Sequence, residues 1–206
     1  MTTQDKLKIP MTLKNPPIIL GSTSRYRKEL LSRLRIPFEV SAPHVDETPM
    51  AGEAPKALAM RLALAKAQAV AQRHPHAVVI GSDQVADLDG TPLGKPGNHE
   101  NAVVQLKRMR GKTVIFQTAL SVVCLANGFE RTDLAAIKVK FRDLTDEEIE
   151  NYLRAEEPYD CAGSAKSEGL GIALLEGIDN DDPTGLVGLP LIRTCQMLRE
   201  AGVRLL

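Results

Sequence analysis

The chain has no tryptophan, and three tyrosines and four phenylalanines are all its aromatics. A surface that binds single strands by stacking bases needs more rings than that. Net charge is missing too: 26 basic and 26 acidic side chains cancel, so no global field draws the protein to DNA, RNA or an anionic membrane. No apolar run approaches the ~20 residues of a membrane span. Cysteines are few, and Cys124, Cys161 and Cys195 are widely spaced with no CxxC pair. No secretory signal peptide is expected, and a reducing, cytoplasmic setting follows. Cys124 in an apolar run and Cys195 on an amphipathic helix read as buried thiols. Cys161 lies nearer polar motifs, but no pattern marks it as a nucleophile.

What remains describes a globular protein with an adequate core: 43% apolar residues and a mean hydropathy of −0.13 over 206 residues. Residues 1–15 are polar and patternless and are expected to form a flexible extension, with Met11 an alternative start. Residues 16–206 then form a single domain.

Pro17-Ile18-Ile19-Leu20 reads as a strand ending at Gly21, followed by Ser22-Thr23-Ser24 and a helix over 24–35. A second strand is expected at 38–40, a loop at 43–52, and a helix over the alanine-rich stretch 54–72. Ala77 to Asp83 is a buried strand that leads to a hairpin turn at Asp89-Gly90. A helix over 99–110 closes at Gly111, and long strands at 113–125 and 129–141 meet at Asn127-Gly128. Thr145 to Glu148 is a capping box for a helix to 156. A glycine-rich loop (163–171), a short strand (172–175), turns to Gly185 and a helix over 190–201 complete the chain. Helices among both hairpins and isolated strands predict an α/β fold with a mixed sheet.

Two apparent motifs carry nothing. Gly111-Lys112-Thr113 resembles the tail of a P-loop, but Leu106 stands where its first glycine belongs, and a helix precedes it. His74 and His76 flank Pro75 with no cysteine or third histidine nearby, so a solvated turn is expected there, not zinc. Other segments are richer. Strand, glycine, hydroxyl cluster and helix start at Gly21 to Arg27 form an anion-binding arrangement. Arg27 is electrostatically unhelpful to its own helix start, which suggests an anionic ligand. Asp83 follows four apolar residues and Gly81, and a carboxylate there is costly to bury unpaired. Asp46-Glu47 adds carboxylates and Lys95 a cation fixed in a turn, whereas Lys66 is an ordinary helix lysine. Carboxylates for a cation, with cations and backbone donors for phosphates, are what cleaving a nucleoside triphosphate requires.

Ile19 to Ser24, Arg27, Val45-Asp46-Glu47, Arg61-Leu62 with Lys66, Gly81-Ser82-Asp83, Gly94-Lys95-Pro96 and Val187 to Pro190 together resemble the Maf family of nucleotide pyrophosphatases, over residues 17–201. The resemblance implies a two-lobed mixed twisted sheet flanked by helices, with a central cleft, related to the inosine triphosphate pyrophosphatase fold. It implies hydrolysis of a nucleoside triphosphate to monophosphate and pyrophosphate with a divalent cation, Mg2+ or Mn2+. By position, Asp83 would accept the proton and share the metal with Glu47. Arg27, Lys66 and Lys95 would serve the phosphates, with Ser22 in support. Arg25 stands where the family often has proline, and Ala119 where glycine is frequent.

Three positions bear on the base. The pyrimidine branch carries arginine, threonine and glutamine where this chain has Tyr26, Gln84 and Glu168, and the present set resembles the branch acting on 7-methyl-GTP. Methylation at N7 makes guanine cationic, which rewards an aromatic face by ~2 kcal/mol when desolvated. A carboxylate can accept from guanine N1–H and N2–H, and Gln84 can donate and accept. The expected partner is thus a modified nucleoside triphosphate, with no polymeric nucleic acid and no membrane, and a homodimer stays open. Hydrolysis of dTTP and UTP is the alternative within the class. Noncatalytic nucleotide binding in regulating septum formation is the alternative outside it.

Overall fold

The computed structural model describes residues 15–206, so the expected extension lies, but for Asn15, outside the described residues. Asn15 itself is tied down: its side chain donates to Arg204 O and accepts from Arg204 N, both at 2.8 Å. Seven strands form one mixed sheet. They are β1 (Ile18–Gly21), β2 (Glu39–Val40), β3 (Val78–Leu88), β4 (Thr91–Leu93), β5 (Thr113–Cys124), β6 (Phe129–Phe141) and β7 (Leu175–Asp179). The order is β2-β1-β3-β5-β6-β7, with β4 also on β3; β1 is parallel to β2 and β3, and the remaining pairs are antiparallel. The helices are α1 (Arg25–Ser32), α2 (Pro55–Ala71), α3 (His99–Met109), α4 (Asp146–Glu156) and α5 (Leu191–Glu200). Among the described residues no helix is long and apolar enough to cross a membrane.

Alternation along β3 and β5 explains the two lobes. Successive side chains of a strand face opposite sides. On one face Val78, Ile80, Leu120 and Val122 pack with Leu30 and Leu31 of α1 and Met197 and Leu198 of α5. Further along the same face Ala86, Leu88, Val114 and Phe116 pack with α3 and α4 through Leu106, Met109, Ile149 and Leu153. Between these two cores the face turns polar, at Ser82, Gln84 and Thr118. The other face is covered by α2, whose alanines (59, 63, 67 and 71) are fully buried.

Small residues let α2 come close. A Cβ on Gly81 would lie 2.3 Å from Ala63 O and 2.6 Å from Ala67 N, so only glycine fits between strand and helix. Gly81 and Asp83 share this face, and the same close approach brings Lys66 of α2 to Asp83.

Several boundaries differ from expectation. The strand through Asp83 does not stop there but runs to Leu88, because β5 pairs with it as far as Asp87. Residues 125–127 form a 3-10 turn before Gly128 (φ 68°), a longer connection than the two-residue hairpin. The strand expected at 172–175 is a 3-10 turn over Leu170–Leu174, and β7 follows it, pairing with β6 from Lys138 to Phe141. Glycines produce that compact turn: a Cβ on Gly171 would meet Lys166 O at 2.5 Å. The capping box forms as expected, with Thr145 and Glu148 satisfying each other's backbone N–H.

Candidate active site

A gap in the ladder makes the cleft. β1 pairs with β3 up to Gly21–Gly81, and β4 begins to pair with the same edge only at Ala86–Leu93. Residues 82–85 therefore have no strand on that side, a gap of roughly 13 Å at ~3.3 Å per residue. A cavity of about 630 Å³ opens over this edge, a size suited to a small-molecule ligand. All nine candidate side chains line it: Ser22, Tyr26 and Arg27 from β1–α1, Glu47 and Lys66, Asp83 and Gln84, and Lys95 and Glu168.

Its floor is an ionic triad. Asp83 is 7% exposed and Lys66 only 5%, so the expected surface lysine is in fact buried. Lys66 Nζ donates to Asp83 Oδ1 at 2.7 Å and lies 2.9 Å from Glu47 Oε1. A buried ammonium needs such compensation. Among the described residues no group of three or more His, Cys, Asp or Glu could hold a metal ion. Two carboxylates converging on one cation nonetheless fit Mg2+ or Mn2+ of the kind that takes one or two protein carboxylates and completes its shell with water and substrate phosphates. Asp83 and Glu47 are the residues that would hold it.

Glu47 is placed by its loop. The neighbouring Asp46 accepts from Thr48 N at 2.9 Å, and the Thr48 side chain, with that backbone bond, keeps its carboxylate below the ordinary range and occupied in the turn. Glu53 accepts from Arg61 Nε (2.6 Å) and Nη2 (2.7 Å) and from Met50 N, and Arg61 also donates to Thr48 O. Those bonds, chiefly the one from Arg61, hold the Glu53 carboxyl at about 2.

Arg27 is held from behind. Its Nε donates to Gly188 O at 2.9 Å and Nη1 to Ser22 Oγ at 3.5 Å, leaving Nη2 without a partner among the described residues. Burial pulls this guanidinium below its ordinary value, opposed by Asp83 and Glu47. Ser22 Oγ also accepts from Ser24 N at 3.1 Å, so it shapes the turn as well as facing the cleft. Lys95 is exposed and makes no ion pair among the described residues, while its turn is fixed by bonds to Gly94 O and Pro96 O.

At the other end, Gln84 Nε2 lies within reach of Thr118 Oγ1 (2.9 Å), Gly185 O (3.2 Å) and Leu186 O (2.9 Å). In this arrangement its donor side is engaged by the protein, and Oε1 has no partner among the described residues. Tyr26 carries the Arg25 guanidinium over its ring, 4.7 Å from the centroid, and its hydroxyl accepts from Arg25 Nη2 at 2.6 Å. Arg25 thus touches a candidate residue, which its place at the start of α1 alone did not suggest. Cys161 Sγ is 3.9 Å from that hydroxyl, and burial together with Asp160 pushes its thiol up to about 12. Glu168 is exposed on a loop braced by the Lys166–Glu156 ion pair and by Leu170 N donating to Glu156 at 2.7 Å.

Sequence reasoning assigned no role to Ser82, Glu53, Arg61 or Asp182. Asp182 is fully buried and accepts from Arg193 N at 3.1 Å, capping the start of α5. An Asp-Pro-Thr run shortly before a predicted helix was the signal available for it.

Residues 17–201 match the family described as Maf-like protein. The chain is 72% identical over 195 residues to the 7-methyl-GTP pyrophosphatase of Polaromonas sp. strain JS666, covering 95% of this chain and 89% of that protein. It is 70% identical to the protein of the same name from Albidiferax ferrireducens (92% and 95% covered) and 55% identical to that of Methylobacillus flagellatus (91% and 98%). Among solved structures, the Ham1 protein of Staphylococcus aureus is similar with a TM-score of 0.45 and 16% identity, over 62% of this chain and 72% of that one.

Proposed function

This chain belongs to the Maf family, and on that footing we propose that it hydrolyses 7-methyl-GTP to 7-methyl-GMP and pyrophosphate. The relatives' shared name supports the substrate, and one observation carries the reading to this chain. The carboxylates, the cations and the three base-reading candidates all line a single cavity.

A divalent cation held by Asp83 and Glu47 would neutralise phosphate oxygens and lower the pKa of a bound water. Asp83 Oδ2 has no partner among the described residues, since Lys66 takes Oδ1. That oxygen receives the proton of the water that attacks the α-phosphorus. The α–β bridging P–O bond breaks, and its electron pair leaves with pyrophosphate. Arg27 Nη2, Lys95 and Lys66 neutralise the charge that gathers on the leaving group. Arg27 needs no reorganisation to do so, being already anchored on Gly188. Tyr26 offers a ring to the cationic base, Gln84 an acceptor, and Glu168 a carboxylate for guanine N1–H and N2–H.

Pyrophosphate release from 7-methyl-GTP, GTP, dTTP and UTP tests the reading. Hydrolysis of 7-methyl-GTP with the highest kcat/KM is expected, and it should stop on chelation. Saturable activity on UTP with none on 7-methyl-GTP would overturn it.

A further inference from the structure

Ser82 does not line the cavity, and it is fully buried. Its hydroxyl lies 2.8 Å from Ala119 O and 2.9 Å from Gly188 O, with one proton to share between them. Gly188 O is also the acceptor that anchors Arg27 Nε. This carbonyl is thus restrained by Arg27 Nε together with Ser82 Oγ, which brings the share of its proton that Ala119 O does not take. Gly188 sits at φ 116°, where a side chain is strained, so the turn depends on glycine there.

Three residues earlier the same turn is gripped by the base-reading candidate: Gly185 O and Leu186 O accept from Gln84 Nε2. On the far side Thr184 Oγ1 donates to Leu189 O at 2.7 Å and accepts from Leu191 N at 2.8 Å. Three carbonyls within residues 185–188 are therefore held by side chains of β3 and α1. The turn is one stiff piece, with Gln84 at one end and Arg27 at the other.

We propose that Ser82 is a positioning residue for Arg27, and that the 185–188 turn links the base end of the cleft to its phosphate end. This rests on the reading of Arg27 as a phosphate ligand. Ser82→Ala removes one of the two donors on Gly188 O and lets that carbonyl, and the guanidinium on it, drift. Small misplacements of a charged group cost rate steeply. The loss falls on every triphosphate alike, because the phosphates are common to all.

The test is a double-mutant cycle in kcat/KM for 7-methyl-GTP and GTP, with melting temperatures of each variant. Ser82→Ala alone is expected to lower kcat/KM about 5- to 10-fold on both substrates. In an Arg27→Ala background it should have no further effect, whereas in an Asp83→Asn background its effect should persist. Ser82→Cys, which keeps the volume and a weak donor, should fall between Ser82→Ala and wild type and controls for packing. Full additivity of Ser82→Ala with Arg27→Ala, or a lowered melting temperature with unchanged kcat/KM, overturns the positioning role. An Arg27→Ala variant with wild-type kinetics would instead overturn the phosphate reading beneath it.

Discussion

On one side of the cleft the charged groups are engaged before any ligand arrives. Lys66 is bound by Asp83 and Glu47, and Arg27 by Gly188 and Ser22. On the other side Lys95 and Glu168 are exposed and make no ion pair among the described residues. The first wall rests against α2 and the core of β1, β3 and α5; the second is carried by loops beside the core of α3 and α4. Burial explains the contrast. A charge taken out of water needs a partner in the fold itself, while an exposed charge can wait for its ligand at little cost. The buried wall should therefore set turnover and share in stability, and the exposed wall should set affinity and choice of base.

Asp83→Asn attacks the buried wall hardest. Shape survives but charge and basicity go, so kcat should fall by at least ~10²-fold, the usual scale for loss of a general base. Binding of a slowly hydrolysed nucleotide should suffer much less. A kcat within a few-fold of wild type would show that another group takes the proton.

Arg27→Ala and Lys95→Ala compare the walls directly. Each removes a cation from phosphates, and charge-assisted hydrogen bonds of ~1.5–3 kcal/mol predict losses of roughly 10- to 100-fold in kcat/KM for every triphosphate. Stability should separate them. Arg27→Ala strips a donor from Gly188 O and should cost about 1 kcal/mol, or ~2–4 °C in Tm. Lys95→Ala should leave Tm unchanged. Equal Tm losses would erase the distinction between a pre-engaged and a waiting wall.

The legibility of these features in the chain divides along the same line. The capping box of α4, the alternation in the second half of β6 and the alanines of α2 are local patterns, and the sequence alone reveals them. The exposed wall was readable for a related reason, since a lysine in a glycine-proline turn stands out in the sequence. The buried wall was readable only in part: the apolar run before Asp83 and the arginine at a helix start stood out, but the pairing with Lys66 did not. Lys66 looks like any helix lysine until Gly81 is seen to draw α2 onto β3. The bond from Ser82 to Gly188 spans 106 residues, and no local pattern encodes it. The β7 strand was misplaced because its exposed residues, Glu176 to Asp179, pair only at a sheet edge and carry no apolar alternation.

Tyr26→Ala, on α1 beside Arg27, and Glu168→Gln, on the exposed wall, test from both sides how the base is chosen. If the ring reads the methyl-derived charge, 7-methyl-GTP should lose ~1–2 kcal/mol more than GTP, or roughly 5- to 30-fold in kcat/KM. Glu168→Gln should weaken both guanine nucleotides alike, since N1–H and N2–H belong to both. Equal losses on all bases in both variants would leave the hydrolysis intact and the assigned base pocket wrong.

The smallest effect concerns the loop that joins the walls' logic, since exposed Glu47 reaches buried Lys66 only because residues 46–53 are clamped. Bonds from Arg61, chiefly, hold the Glu53 carboxyl at about 2 in the fold against an ordinary 4.5. A folded pKa below the unfolded one means the clamp stabilises fully above about 4.5, and its contribution is lost as pH falls toward about 2. Wild type should therefore exceed Glu53→Gln in stability at neutral pH, and the gap should narrow between pH 4.5 and 2, the window those two values define. Urea unfolding at pH 7, 5 and 3 measures it, with salt expected to shrink the gap further because both partners sit near the surface. A gap that stays constant from pH 7 to pH 3 would mean that ionised Glu53 gains nothing from Arg61 in the fold, and that this pair does not clamp the loop.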